Sequence, residues 1–140
     1  MGQIAIIACG SKKAKEASPA IDLYKGVLFM KHRAWAEAFC DQIYIISARH
    51  GLISPSKIIK PYETSLRKFK KKDRDRWGSQ VADQIRSRIP ISEKLIFLAG
   101  EIYYRPIIRQ IPHDYEIPFK RYGLGHRYAL IDKLLSNENL

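Results

Sequence analysis

Gln3–Ala8 reads QIAIIA, an uncharged run rich in β-branched isoleucine. Such a run suits a strand buried on both faces of a parallel sheet, where no polar face is needed. Two further stretches have the same character, Gln42–Ser47 (QIYIIS) and Lys94–Ala99 (KLIFLA). Helical spacing fills the gaps between them. Val27–Cys40 places Phe29, Ala36, Phe39 and Cys40 near one face. Asp73–Arg88 repeats Trp77, Val81, Ala82 and Ile85, with Asp73 as its N-cap and Pro90 as its stop. Glu101–Ile111 and Gly125–Leu135 complete the helices, and Asp114–Pro118 reads as a short edge strand because Pro118 is costly inside a sheet. Lys12–Lys25 reads as a long loop and Arg49–Phe69 as loop-rich. The alternation predicts a three-layer α/β sandwich with a mostly parallel sheet of about four strands.

The 140 residues predict a single domain spanning the chain. With 46% hydrophobic and 28% charged residues, the chain is too apolar for disorder and too polar for a membrane protein. MGQIAIIACG has no basic leader region, so it reads as the first strand rather than a signal peptide. Cys9 and Cys40 fit neither a disulfide framework nor a metal-ligand spacing, as expected of a cytoplasmic protein. His32, His50, His113 and His126 are scattered, so no metal and no cofactor is expected.

Charge points to a partner. The net charge is +11, and residues 67–76 (RKFKKKDRDR) hold seven basic side chains against two acidic ones. Arg67, Lys68, Lys70, Lys71, Lys72, Arg74 and Arg76 thus form a patch suited to a nucleic-acid backbone, DNA before RNA. A solvated helix entrance is the plainer reading of the same run.

In open α/β sheets, ligands bind beyond the carboxyl ends of the strands. The segments leaving the three strands are Cys9-Gly10-Ser11-Lys12-Lys13, Ala48-Arg49-His50-Gly51-Leu52 and Gly100-Glu101-Ile102-Tyr103-Tyr104. Each pairs a glycine with polar groups, and all three are expected to converge on one rim. The first offers amides, the Ser11 hydroxyl and two ammonium groups to a phosphate or carboxylate, without a Walker A or GxGxxG pattern. Cys9 is either a thiolate nucleophile served by His50 or a small apolar group closing the strand. Glu101, at a helix start, is either held by the dipole or placed to orient a water or stabilise positive charge on a sugar. Glu63 and Asp22 read as structural carboxylates. Tyr24, Tyr62 and Tyr103 fall in or beside loops, where they suit base stacking as well as core packing. Ser47, Arg49, Gly51 and Gly100 complete the expected binding set.

Residues 46–55 (ISARHGLISP), followed by Ile59-Lys60-Pro61-Tyr62-Glu63, resemble the S-A-x-x-G-L-(L/I)-x-P … I-x-P-Y stretch of YaaA-like proteins. They are still more similar to a family of small prokaryotic and phage proteins of unknown function. That family's motifs match here as Cys9-Gly10-Ser11-Lys12-Lys13, residues 22–29 (DLYKGVLF), residues 98–103 (LAGEIY) and Gly123-Leu124-Gly125-His126. A fainter similarity is to a domain of archaeosine synthase, which modifies a deazaguanine base in transfer RNA; its Lys-Pro-Tyr stands here as Lys13-Ala14-Lys15. The resemblance to YaaA-like proteins implies stress-related DNA binding, and the shared theme is nucleic acid or its bases. Together with the rim, this leads to a nucleic-acid-directed enzyme acting on a base or its N-glycosidic bond. In that reading Cys9, His50 and Glu101 are catalytic, and loss of Glu101 abolishes turnover. A non-catalytic DNA- or RNA-binding protein and an enzyme on free nucleotides are the alternatives.

Overall fold

The structure, a computed structural model, describes residues 2–138. Its central sheet is built from β1 (Gln3–Ala8), β3 (Gln42–Ser47), β4 (Gly51–Ile53), β6 (Lys94–Leu98) and β7 (Tyr115–Glu116). The strand order is β4-β3-β1-β6-β7, and only β4 runs antiparallel to its neighbour. β1 lies at the centre, with Ile4 opposite Gln42 on one side and Leu95 on the other.

The isoleucine run is buried on both faces, as its composition requires. Ile4 and Ile6 pack into one core, with Ile46, Leu95 and Phe97, while Ala5 and Ile7 pack into the other, with Ile45, Ile96 and Leu98. The first core is covered by α3 (Lys71–Arg88) and α4 (Glu101–Ile108), the second by α2 (Val27–Phe39) and α5 (Leu124–Glu138). This is the expected three-layer α/β sandwich. Gly78 lets α3 and α4 touch, because a Cβ there would stand 2.6 Å from the carbonyl oxygen of Pro106.

The sheet has five strands rather than about four. The extra one is β4, inside the segment that reads as loop-rich. After Ser47 the chain turns back on itself at Gly51, whose φ of +68° is a left-handed conformation that favours glycine. Only Leu52 and Ile53 follow before Ser54-Pro55, too short a stretch to show a period. Two more pieces hide in polar sequence. β2 (Ser18–Pro19) pairs antiparallel with β5 (Ile58–Ile59), and the short helix α1 (Ala20–Leu23) follows β2. Lys12–Lys25 is therefore not a free loop. Backbone hydrogen bonds from Ala14 to Leu23 (2.7 Å) and from Lys25 to Lys12 (2.8 Å) fold it back upon itself.

Helix α3 starts earlier than Asp73. The Lys70 carbonyl accepts from the N–H groups of Asp73 and Arg74, so Lys70 is the N-cap and Asp73 sits in the first turn. There its carboxylate still faces the positive helix end. α4 stops at Ile108, short of Ile111, and α5 begins one residue earlier than expected, at Leu124. Among the described residues, no helix is long and apolar enough to cross a membrane.

Candidate functional site

The path of the chain creates a switch point. From β1 it passes through α2 to β3 on one side, then through α3 to β6 on the opposite side of β1. The loops after β1 and β6 therefore diverge and leave a crevice between them. A cleft of about 760 Å³ lies there. That volume falls within the roughly 300–1,000 Å³ usual for small-molecule sites.

Cys9, Gly10, Ser11, Lys12 and Lys13 line one wall, and Ala99, Gly100, Ile102 and Tyr103 another. The first turn of α2, from Gly26 to Phe29, and Leu124, Arg127 and Tyr128 of α5 line the rest, with Glu63 and Arg67 at the 3-10 helix Leu66–Lys68 and its approach. Four cations, Lys12, Lys13, Arg67 and Arg127, thus face a single carboxylate, Glu63. α2 and α4 are capped by Gly26 and Gly100, neither of which offers a side-chain cap. Their first N–H groups and positive dipole ends are thus presented to the cleft, a setting that favours anions.

At the floor the Cys9 sulfur lies 3.6 Å from the Tyr103 hydroxyl. Burial pushes Tyr103 well above the ordinary phenol range, and Cys9 acts in the same direction, so this phenol keeps its proton, and hydroxyl and thiol share one hydrogen bond. Behind Cys9 runs a chain of buried hydroxyls. Ser47 Oγ accepts from the backbone N–H groups of Arg49 and His50, both at 3.2 Å. With its lone pairs engaged, it donates to the Tyr62 hydroxyl at 2.6 Å, which donates to the Tyr24 hydroxyl at 2.5 Å. Burial holds Tyr62 above its usual range and pushes Tyr24 up to about 12, so both stay protonated. Lys13 caps this pair, its Nζ 4.4 Å from the centre of the Tyr62 ring.

The three loops do not share one pocket. The first and third meet at the cleft, bringing Cys9, Gly10, Ser11, Lys12, Lys13, Gly100 and Tyr103 together. The second turns straight into β4. His50 packs edge-on against Tyr62 at 5.2 Å, and burial lowers its pKa, with Arg49 and Lys57 adding to the effect. Ser47, Tyr24 and Tyr62 stand in the layer behind the lining, and Arg49 and Gly51 belong to the turn that carries His50. Glu101 opens α4, but its side chain is 66% exposed and its carboxylate pairs with Arg105 at 3.2 Å. Of the expected trio, only Cys9 lines the cleft. The Arg49 and His50 loop contributes through Ser47 and Tyr62, not by reaching a ligand.

The basic run begins at the cleft with Arg67 and continues over exposed Lys68, Lys70, Lys71, Lys72 and Arg76. Two members have partners: Arg74 donates to the Phe69 carbonyl at 2.8 Å and Lys71 pairs with Asp75 at 3.0 Å. Asp22 is structural, bound to Arg33 at 3.0 Å.

A family model for DUF6884, a family of unknown function, matches residues 4–133. The chain belongs to this family. Within DUF6884 the match takes in every cleft residue named above, from Cys9 to Tyr128. No curated protein gives a significant match.

Two DUF6884 residues of this chain escape a sequence reading. His32 is 2% exposed and lines the cleft from α2, stacked on Phe119 with ring centres 6.2 Å apart. Burial, reinforced by Arg127, lowers its pKa to about 3, so the ring is neutral near pH 7. Arg127 reaches in from α5, donating to the Phe119 carbonyl at 2.7 Å. The available signal is the helical pattern of α2: Phe29 and Ala36 are buried, and His32 falls between them on the same face. Among the described residues, no group of three or more His, Cys, Asp or Glu is placed to hold a metal ion.

Proposed function

We propose that the protein is a nucleic-acid-directed enzyme. It holds the phosphate of one nucleotide in the β1–β6 cleft and acts on that nucleotide's base or N-glycosidic bond. One observation carries the reading: two helix N-termini without side-chain caps and four cations meet on a single cleft at the switch point of the sheet. Aligned amides and cations of this kind are what a phosphate requires. Arg67 joins the cleft to the exposed lysines at the start of α3, which track the adjoining backbone. A base must leave its stack to enter, so the target is single-stranded, damaged or flipped. The similarity of residues 46–55 to YaaA-like proteins, and the fainter one to the archaeosine synthase domain, agree with a nucleic-acid partner.

Cys9 is the group in contact with the reacting nucleotide, with the Tyr103 hydroxyl polarising its sulfur. His50 and Glu101 have no direct contact with ligand in this arrangement. His50 braces Tyr62 from behind. The test is to incubate the protein with single-stranded and mismatched oligonucleotides and to follow released or altered bases by mass spectrometry. Cys9→Ala is expected to remove the product while leaving affinity within about twofold, since a thiol contributes little to phosphate binding. Salt-dependent binding with no product from any substrate leaves a binding module and overturns the enzymatic reading.

A further inference from the structure

The floor of the cleft carries polar groups that the protein itself leaves unmatched. Five buried side-chain nitrogens have no hydrogen-bond partner among the described residues: His32 Nε2, Trp35 Nε1, His50 Nε2, His113 Nδ1 and Arg127 Nε. His113 is anchored through its other nitrogen to the Ile89 carbonyl, and His50 and Trp35 lie outside the cleft lining. His32 and Arg127 are the two whose side chains line it. They meet around Phe119, which stacks on His32 and offers its carbonyl to Arg127. A buried polar nitrogen without a partner is unfavourable, and an incoming ligand oxygen removes that cost.

Position and charge then narrow the ligand. His32 is 2% exposed, so it is among the most enclosed groups of the lining. A phosphodiester inside a continuous strand is flanked by sugars on both sides and brings one negative charge. A terminal phosphate can enter end-first, brings three free oxygens, and carries a charge of about −1.5 to −2 at pH 7. Four cations against one carboxylate suit the second far better than the first.

We propose that the cleft is built for a terminal phosphate: the phosphomonoester at a nucleic-acid end or on a free mononucleotide, with His32 and Arg127 as the groups that recognise its oxygens. This rests on reading the cleft as a nucleotide-phosphate site. The neutral imidazole donates or accepts through Nε2, while the guanidinium supplies charge together with the N-termini of α2 and α4.

The experiment measures binding, at fixed salt, of a short single-stranded oligonucleotide with a 5′-phosphate, a 3′-phosphate or hydroxyl ends. A hydroxyl-ended strand two nucleotides longer, which adds two phosphodiester charges, controls for added charge. At least one phosphorylated end is expected to bind about tenfold more tightly than the longer control, in keeping with hydrogen bonds to a charged group. The 5′ and 3′ arms identify the end, and competition by a nucleoside monophosphate tests whether the free nucleotide shares the site. His32→Phe, which keeps the stacking ring, and Arg127→Leu are each expected to erase most of that preference, weakening the phosphorylated strand far more than the hydroxyl-ended one. Equal binding of phosphorylated and control strands overturns the terminal-phosphate site and leaves the nucleic-acid reading standing. A preference that survives both substitutions also overturns it. Absence of binding by every strand removes the underlying reading as well.

Discussion

The hydroxyl chain Ser47–Tyr62–Tyr24 and the nitrogens of His32 and Arg127 are buried polar groups near the same end of the sheet, yet they are built on opposite plans. In the first, every hydroxyl has a partner within the protein, and the chain begins on two backbone N–H groups of the β3–β4 turn. In the second, His32 and Arg127 line a cleft, and each has a buried nitrogen without a partner among the described residues. A satisfied buried network rigidifies its surroundings, whereas an unsatisfied one holds interaction energy in reserve for something from outside. The contrast separates two kinds of residue that look alike in sequence. Tyr24 and Tyr62 position the wall behind Cys9, while His32 and Arg127 meet the ligand.

Breaking the satisfied network should give the largest effect on folding. Tyr62→Phe removes a single oxygen but strands the Ser47 and Tyr24 hydroxyls in a buried setting. Chemical denaturation is expected to show a loss of about 2–3 kcal/mol, with oligonucleotide affinity changed less than about twofold. A loss below about 0.5 kcal/mol would mean that the chain does not stabilise this edge.

The unsatisfied cluster should instead reveal itself through pH. His32 has an ordinary pKa of 6.5 when unfolded and about 3 when folded, because burial, and then Arg127 on α5, disfavour its charge. Phe119, stacked on it, and Trp35, edge-on to Phe119, carry no charge. Between these two values the unfolded state binds more protons, so this contribution is fully present above pH 6.5 and is lost as pH falls toward 3. The slope reaches up to about 1.4 kcal/mol per pH unit. His50, also lowered by burial, adds a smaller contribution of the same sign. His32→Phe should flatten the acid limb of the stability curve and cost little stability at neutral pH. An unchanged acid slope would show that His32 is protonated in the folded protein.

How much of this was legible follows from where each signal lives. Isoleucine runs report burial directly, so β1, β3 and β6 stand out, and with them the mostly parallel sheet; the strand order that sets the cleft is seen only in the structure. β4, β2 and β5 are two or three residues long and held by tertiary pairing, below the length at which a period shows. Lys12, Lys13, Gly100 and Tyr103 were legible because a loop that leaves a parallel strand has a known direction. His32 was not, because a lone histidine on a helix reads the same whether its ring meets a carbonyl or an empty cleft. His50 and Glu101 show the converse limit. Sequence places them at the rim, but side-chain direction is set by Tyr62 and Arg105, neighbours met only after folding.

The smallest expected effect sharpens the comparison most. Glu101 is the carboxylate that sequence position alone makes catalytic, yet it stands 66% exposed beside Arg105. An exposed i,i+4 pair is worth about 0.3–0.5 kcal/mol, and a carboxylate near a helix N-terminus about 0.3–1 kcal/mol. Glu101→Ala should therefore lower stability by no more than about 1 kcal/mol. Because it removes a negative charge near the N-terminus of α4, it should tighten oligonucleotide binding by about twofold at low salt, an advantage that disappears as salt rises. Turnover should persist. If it vanishes while affinity and folding stay intact, then Glu101 abandons Arg105 when ligand binds, and the catalytic wall of the cleft extends to the first turn of α4 as its place after β6 predicts.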